Sequence, residues 1–371
     1  MQLIDKNNHN EIKKIIQYLK YKKILIVSGS SSFSSSKAEK ILNDFTKNKV
    51  TSIFLKKKKV PDFTELLELI KRINIFRPNL IVAIGGGAVL DLSKTANSLY
   101  SEIKLKKKIK NNAYKLKNFC DLFAIPMTAG TGAEVTANAV IYIDNIKYSV
   151  EGKEIKPKHM ALLPELIITN KKKDIISSSA FDCLAQSIES MFSKKSNNSS
   201  LVYTKKSIEL FLNNYQKFKK TKSYNSGYLM SLASYYSGKA ISISKTIAPH
   251  AVSYPFTSHY DVNHGHAVSL TFEEILKFNY HHKNKSDANY DINKRYYKMF
   301  EFLKVKNIEE FDKKVKNIKK DLNLESKLSL INKEIPKNFN TILKEINSQR
   351  LNNNPVKIEK RDLIKIFQKI T

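Results

Sequence analysis

Four of the chain's eight histidines, His250, His259, His264 and His266, fall within seventeen consecutive positions. That density asks for a metal ion or a proton relay, because imidazole both ligates divalent metals and titrates near neutral pH. Upstream, Asp182 and Gln186 stand four apart, a spacing that lets two side chains meet on one helix face. Asp, Gln and two His would make a mixed oxygen and nitrogen site fit for Fe²⁺, Zn²⁺ or a similar ion. From spacing alone, a solvated polar helix face is the simpler account of Asp182 and Gln186.

A second chemistry lies earlier in the chain. Gly85-Gly86-Gly87-Ala88-Val89-Leu90-Asp91 directly follows the apolar run Leu80–Ile84. A glycine run between strand and helix lets a phosphate approach the backbone, where the helix N-terminus offers free N–H groups and a positive dipole end. The run lacks the GxGxxG spacing, and a tight strand-to-helix turn explains it equally well. A further loop, Pro126-Met127-Thr128-Ala129-Gly130-Thr131-Gly132-Ala133-Glu134, adds two hydroxyls and two glycines after another apolar run. Two such loops on neighbouring strands suit a dinucleotide pyrophosphate better than one turn does.

The elements that must hold these groups divide the chain in two. Ile24–Val27, Ser52–Leu55, Leu80–Ile84 and Leu122–Ile125 read as strands buried on both faces. Between them Phe63, Leu66, Leu67, Ile70 and Ile73 recur at helical spacing after Asp62, an N-cap residue. Alternating strand and helix predicts an α/β layer with a mainly parallel sheet. From about residue 170 glycines become rare and long helical stretches follow. Phe181, Leu184, Ala185, Ile188 and Phe192 form an apolar stripe preceded by the capping candidates Ser177 to Ser179. Beyond about residue 283 the chain is rich in Lys and Asn and reads as helical with weaker periodicity. The expected division is 1–165 for an α/β domain and 166–371 for a helical one.

Composition bounds the rest. An apolar fraction of 42% over 371 residues argues for two packed domains rather than disorder. The net charge of +31 would suit a nucleic-acid or anionic-membrane partner. Yet only five of the 65 basic residues are arginines (Arg72, Arg77, Arg295, Arg350 and Arg361), and the lysines spread along the whole chain. Nucleic-acid readers lean on the bidentate Arg fork. An AT-rich genome produces abundant Lys, Asn and Ile, so a lysine background is the better account. No nucleic-acid or membrane partner is expected. Two cysteines, no apolar core of signal-peptide length at the N-terminus and no run of about 18 apolar residues point to a cytoplasmic protein.

In this order, GGGAVLDLSK at 85–94, IPMTAGTGAEVT at 125–136, FDCLAQSIES at 181–190 and the stretch from His250 to His266 resemble the iron-containing (group III) alcohol dehydrogenase family. That family shares a superfamily with dehydroquinate synthase and glycerol dehydrogenase. The resemblance runs from about residue 20 to 285. It implies an α/β N-terminal dinucleotide-binding domain plus an all-α C-terminal domain, the dehydroquinate synthase-like fold, with cofactor and metal meeting in a cleft. Carried over residue by residue, it implies that Gly85, Gly86, Gly87 and Ala88 hold the pyrophosphate, where the family's fourth position is usually Ser. Asp91, Thr128, Thr131 and Lys147 fall on cofactor-side positions. Asp182, His250 and His264 match three metal ligands. At the fourth, usually His, stands Gln186.

Asp182-x-x-x-Gln186, Ser253–Ser258, His264–Leu270 and Ala139–Asp144 followed by Lys147-Tyr148-Ser149 look closer to one branch, the phosphonoacetaldehyde reductases. The branch implies reduction of an anionic aldehyde, phosphonoacetaldehyde, to 2-hydroxyethylphosphonate by NADPH or NADH with Fe²⁺ or Zn²⁺. The alternative is a general iron-type alcohol dehydrogenase acting on small uncharged aldehydes. Tyr254 or His266 would donate the proton, although a packing role ahead of Pro255 explains Tyr254 equally. Lys245, with Ser244 and Thr246, would meet the phosphonate. The segment Ser28-Gly29-Ser30-Ser31 carries no carboxylate to repel a 2′-phosphate, so NADPH should be tolerated. The wider family often forms dimers or larger assemblies, which makes a homodimer one expectation.

Overall fold

A computed structural model describes residues 1–18, 21–169, 172–346 and 351–371. The chain forms two compact units. The first comprises Met1–Lys171 with Ser223–Leu232, the second Lys172–Lys222 with Ala233–Thr371.

The first unit is built on a six-stranded parallel sheet. Its strands are β1 (Gln2–Leu3), β2 (Lys23–Gly29), β3 (Val50–Lys56), β4 (Leu80–Gly85) and β5 (Asp121–Pro126), followed later by β8 (His159–Ala161). The order across the sheet is β1-β8-β5-β4-β2-β3. Ile24, Ile26, Leu80, Val82, Ile84, Phe123 and Ile125 point to one face and join one apolar core. Leu25, Val27, Ile81, Ala83 and Ala124, on the alternate register, are equally buried. The sheet is therefore covered on both sides, as parallel sheets require.

Between β5 and β8, β6 (Asn138–Ile143) and β7 (Ile146–Glu151) form a separate antiparallel hairpin. Its two turn residues, Asp144 and Asn145, have φ of 53° and 63°. Paired positive φ is the primed turn whose twist matches that of the strands.

Two expectations need correction here. Ser52–Leu55 lies in β3, which is a sheet edge paired with β2, so Ile53 and Leu55 are 43% and 39% exposed rather than buried on both faces. In the Phe63–Phe76 helix Leu66, Leu69 and Ile73 face inward while Leu67 is exposed. Asp62 does cap that helix, its carboxylate accepting from Thr64 N–H at 2.8 Å.

The second unit is helical. The Lys173–Phe192 helix is buried from Ile176 to Phe192 apart from Ser179. It begins at Lys173, so Ser177–Ser179 lie inside it and are not its caps. Phe181 meets Phe272 of the His264–His281 helix edge-on at 5.5 Å. Phe256 and Phe367 meet likewise at 5.8 Å in a second core with Val252, Leu270, Ile275 and Ile366. Beyond residue 283 the expected helices are present, including Ile292–Leu303, Ile308–Asp321 and Lys360–Lys369. Both cysteines are free. Among the described residues no helix is long and apolar enough to cross a membrane.

Candidate metal centre and dinucleotide cradle

Strand order sets the place of the cradle. From β2 the chain moves outward to β3, then returns to β4 on the other side of β2. This reversal is a topological switch point, and open α/β sheets bind ligands beyond the carboxyl ends of the strands that flank one. Gly85–Gly87 turn there, from β4 into the Gly87–Ser98 helix. Gly86 caps that helix with no side chain, which leaves first-turn N–H groups open. A Cβ on Gly87 would come within 2.8 Å of the Thr131 Oγ1, and one on Gly86 within 3.6 Å of the Thr128 Oγ1. Only glycine permits this approach at Gly87, and the two loops expected to share a pyrophosphate do adjoin. Open amides, two hydroxyls and bare backbone fit a dinucleotide diphosphate.

Asp91 and Lys147 take positions beside this loop. The Asp91 Oδ2 accepts from Val140 N–H at 3.1 Å, tying the helix to the hairpin, and Oδ1 lies 3.5 Å from the Lys94 ammonium. Burial raises the Asp91 carboxyl above its usual range, against the opposing pull of Lys94 and Lys147. Lys94 itself is fully buried. Its ammonium donates to Ala133 O at 3.0 Å, Thr136 Oγ1 at 2.9 Å and Asn138 O at 2.5 Å. A buried ammonium is costly unless such acceptors meet it, so Lys94 fixes the course of the loop after β5. Sequence reasoning missed it. The available signal was its i, i+3 spacing from Asp91 amid buried helix positions.

The metal candidates come together in the second unit. Asp182 and Gln186 are 1% and 4% exposed, so the solvated-face reading fails. Serine-rich packing closes every side of their helix, as where Ser187 Oγ donates to Ser207 Oγ at 2.8 Å. Asp182, Gln186 and Glu189 stand at i, i+4 and i+7 on one face. His250 lies on the short Ala248–Val252 helix and His264 opens the His264–His281 helix. One donor atom each from Asp182, His250 and His264 lies within 4.8 Å of the others. Ligands about 2.0–2.2 Å from a shared ion are about 3–4.4 Å apart, so only a small contraction is needed. Gly265 makes the cluster sterically accessible: a Cβ there would sit 2.0 Å from Ser178 O and 2.8 Å from the Asp182 Cβ.

Glu189 is the residue that sequence reasoning overlooked. It is fully buried, and its Oε1 lies 2.6 Å from the His250 Nδ1. Its Oε2 accepts from Ile247 N–H at 2.8 Å, capping the helix that carries His250. This turns the other ring nitrogen, Nε2, to within 3.1 Å of the Asp182 Oδ1. A carboxylate behind the imidazole is the usual way a metal-binding His is oriented. Burial alone would lower the His250 pKa, but Glu189 and Asp182 outweigh it and raise the ring to about 9. The protonated ring would donate from Nδ1 to Glu189 and from Nε2 to Asp182, and a divalent cation on the Nε2 side would offset the buried carboxylates more fully. The donor set fits such an ion.

Profiles of two family regions match. That of the iron-containing alcohol dehydrogenases covers residues 2–168, and that of the C-terminal region of the Fe-containing alcohol dehydrogenase family covers 176–371. The chain belongs to the iron-containing alcohol dehydrogenase family. It is 32% identical over 231 residues to 4-hydroxybutyrate dehydrogenase of Clostridium kluyveri, spanning 61% of each chain. It is 28% identical over 228 residues to phosphonoacetaldehyde reductase of Streptomyces viridochromogenes, spanning 57% of this chain and 56% of that one. Its fold matches that of sulfoacetaldehyde reductase from Bifidobacterium kashiwanohense in complex with NAD⁺, with a TM-score of 0.87 at 22% identity. That match covers all of this chain and 96% of the other.

In this family member Gln186 stands beside the cluster. Its Nε2 donates to the Asp182 Oδ2 at 3.2 Å and its Oε1 accepts from Ser237 Oγ at 3.2 Å. Tyr254 stacks on the His264 ring, centroids 6.3 Å apart. His266 does not join them. Two residues along a helix rotate a side chain by about 200°, and its Nε2 pairs instead with Glu325 O at 2.8 Å. Burial, first among its influences, lowers the His266 pKa. Lys245 holds a left-handed φ of 68° where the Tyr224–Ser244 helix ends, and its backbone N–H donates to Ile241 O. Ser244 turns inward to Ser190 Oγ at 2.7 Å, away from the substrate role expected of it.

Proposed function

We propose that this chain is a metal-dependent NAD(P)H aldehyde reductase acting on small anionic aldehydes, phosphonoacetaldehyde first among them. The observation that carries the reading is the Asp182–His250–His264 cluster, with Asp182 and His250 buried, His264 half-buried and Glu189 behind His250. Residues 1–165 serve the dinucleotide and 166–371 serve the metal and substrate. A divalent cation there supplies Lewis-acid polarisation of a carbonyl, and a nicotinamide dinucleotide supplies the reducing equivalent. The chain's own residues do the rest. Glu189 keeps Nδ1 of His250 protonated, so that Nε2 faces inward as a ligand.

Gln186 completes the set as a neutral ligand. A 180° turn of its amide brings Oε1 to the Asp182 side and lets Nε2 donate to Ser237 Oγ. That hydroxyl can give its own hydrogen to Ser234 O at 2.9 Å. Without an ion the first orientation is favoured, because the second sets two acceptors, Oε1 and Asp182 Oδ2, against each other; a bound cation would offset that repulsion and favour the second. Tyr254, stacked on His264, holds the proton for the nascent alkoxide; its position favours it over His266.

An acidic substrate is supported by two relatives, whose named substrates carry a phosphonate and a carboxylate. The chain spans 61% and 56% of their lengths. Lys245 is the residue we assign to the anion. NADPH is accepted, because residues 28–36 present no carboxylate after β2. The test is NAD(P)H oxidation with phosphonoacetaldehyde, succinic semialdehyde and neutral aldehydes of equal size. The acidic pair should show the higher kcat/KM, and Lys245→Ala should raise KM for them alone. Equal turnover of acetaldehyde would reject the anionic class. The higher identity to the 4-hydroxybutyrate enzyme makes the carboxylate the second reading within that class.

A further inference from the structure

The loop after β5 carries one charged group that neither the cradle nor the metal centre uses. Glu134 is 2% exposed, and its Oε1 has no hydrogen-bond partner among the described residues. It stands three residues after Thr131, whose Oγ1 adjoins Gly87 and accepts from Ala133 N–H at 3.3 Å. Three residues span at most about 11 Å, so the Glu134 backbone lies within that reach of the cradle wall. We propose that Glu134 links dinucleotide binding to a proton: its carboxylate takes one from solvent as the diphosphate enters, and the bound state holds it neutral. This rests on reading Gly85–Gly87 as the dinucleotide cradle.

The geometry leaves the carboxylate without a close counter-charge. Lys94 is the nearby cation, and Ala133 O, Thr136 Oγ1 and Asn138 O take the three hydrogens of its ammonium. Lys94 therefore acts on Glu134 through charge alone. A buried carboxylate oxygen with neither ion pair nor hydrogen bond is costly, and a proton on it removes the charge. Burial accordingly pushes the Glu134 carboxyl up to about 7, against the pull of its own backbone N–H and of Lys94.

The other charged groups around it are few. The Gly87–Ser98 helix presents Lys94 and, 3.5 Å from that ammonium, Asp91; the hairpin presents Lys147, whose charge acts on Asp91. Residues 126–136 carry no ionisable side chain besides Glu134. Asp91 has both oxygens engaged, by Val140 N–H and by Lys94, so Glu134 is the carboxyl left to take a proton. A diphosphate brings two negative charges into this loop. At roughly 10 Å through a buried medium they disfavour a third by on the order of tenfold in affinity. The carboxyl is thus raised further in the bound state than in the free one. The advantage to binding is complete below about pH 7 and is lost as the pH rises through the higher, bound-state value.

The test titrates metal-loaded protein with NADH, which unlike NADPH has no phosphate that ionises near neutral pH. Calorimetry at about pH 8, in two buffers of different ionisation enthalpy, reads the protons taken up per NADH bound. The wild type should take up about 0.4 proton, and its Kd should rise about tenfold from about pH 6 to about pH 9. Glu134→Gln is neutral throughout and should take up none. It should match the wild type at about pH 6 and bind NADH about tenfold more tightly than the wild type at about pH 9. A residue that only shaped the loop would weaken binding at every pH when replaced. Undiminished uptake in Glu134→Gln, or no uptake in the wild type, would overturn the link and leave the cradle standing. The wild-type measurement decides this even if the variant does not fold. NADH binding that Gly87→Ala leaves unaltered would instead remove the cradle, and the link with it.

Discussion

The two candidate sites are made from opposite materials. The cradle in the first unit is backbone: three glycines, open helix amides and two threonine hydroxyls, with Lys94 bracing the loop beneath. The metal centre in the second unit is charged side chain, Asp182, His250 and His264, held in place by one more buried carboxylate, Glu189. A backbone site fails when anything is added to it. A side-chain site fails when anything is taken away.

The largest effect should follow from subtraction. His250→Ala removes a ligand and strands Asp182 and Glu189 as buried carboxylates. Turnover should fall about 10³-fold or more, the scale of several kcal/mol of lost Lewis-acid stabilisation. Full activity in this variant after metal removal would refute the metal centre. Glu189→Gln keeps shape and changes only what stands behind Nδ1. Metal affinity, measured by competition with a chelator, should drop about 10–100-fold, and Glu189→Asp should not restore it.

Addition should break the cradle more gently. Gly87→Ala forces a Cβ against Thr131, which should raise KM for the dinucleotide roughly tenfold, the cost of about 1–3 kcal/mol of overpacking. Metal affinity should not move. Were Gly87→Ala to lower kcat and leave KM alone, the cradle would lie elsewhere. The smallest effect tests the scaffold without touching either site. Asp62→Ala deletes a helix cap and should cost about 1 kcal/mol of stability with unchanged kinetics.

The contrast also explains what could be read in advance. Glycine announces a backbone site, because few other demands select it, and Gly85–Gly87 proved to lie at the switch point. Asp182, His250 and His264 were legible as residue types. Their support was not. A glutamate seven residues after Asp182 looks like any polar helix position until burial is known, and Lys94 was one lysine among sixty. His266 read as a candidate proton donor, but helical rotation takes its ring to the Glu325 carbonyl. Strands β1 and β8, of two and three residues, are too short to carry a period, and β3 shows its edge only through the sheet order. The charge of +31 remains mostly background, with many lysines on surface pairs such as Lys106 and Lys110 with Asp144.

The most direct test is the metal content of chelated and reconstituted protein. After incubation with Fe²⁺ or Zn²⁺ and desalting, the wild type should retain one equivalent per chain, and the Asp182→Asn and His264→Ala variants almost none. Retention of the same amount by all three proteins, or of none by the wild type, would contradict the centre described.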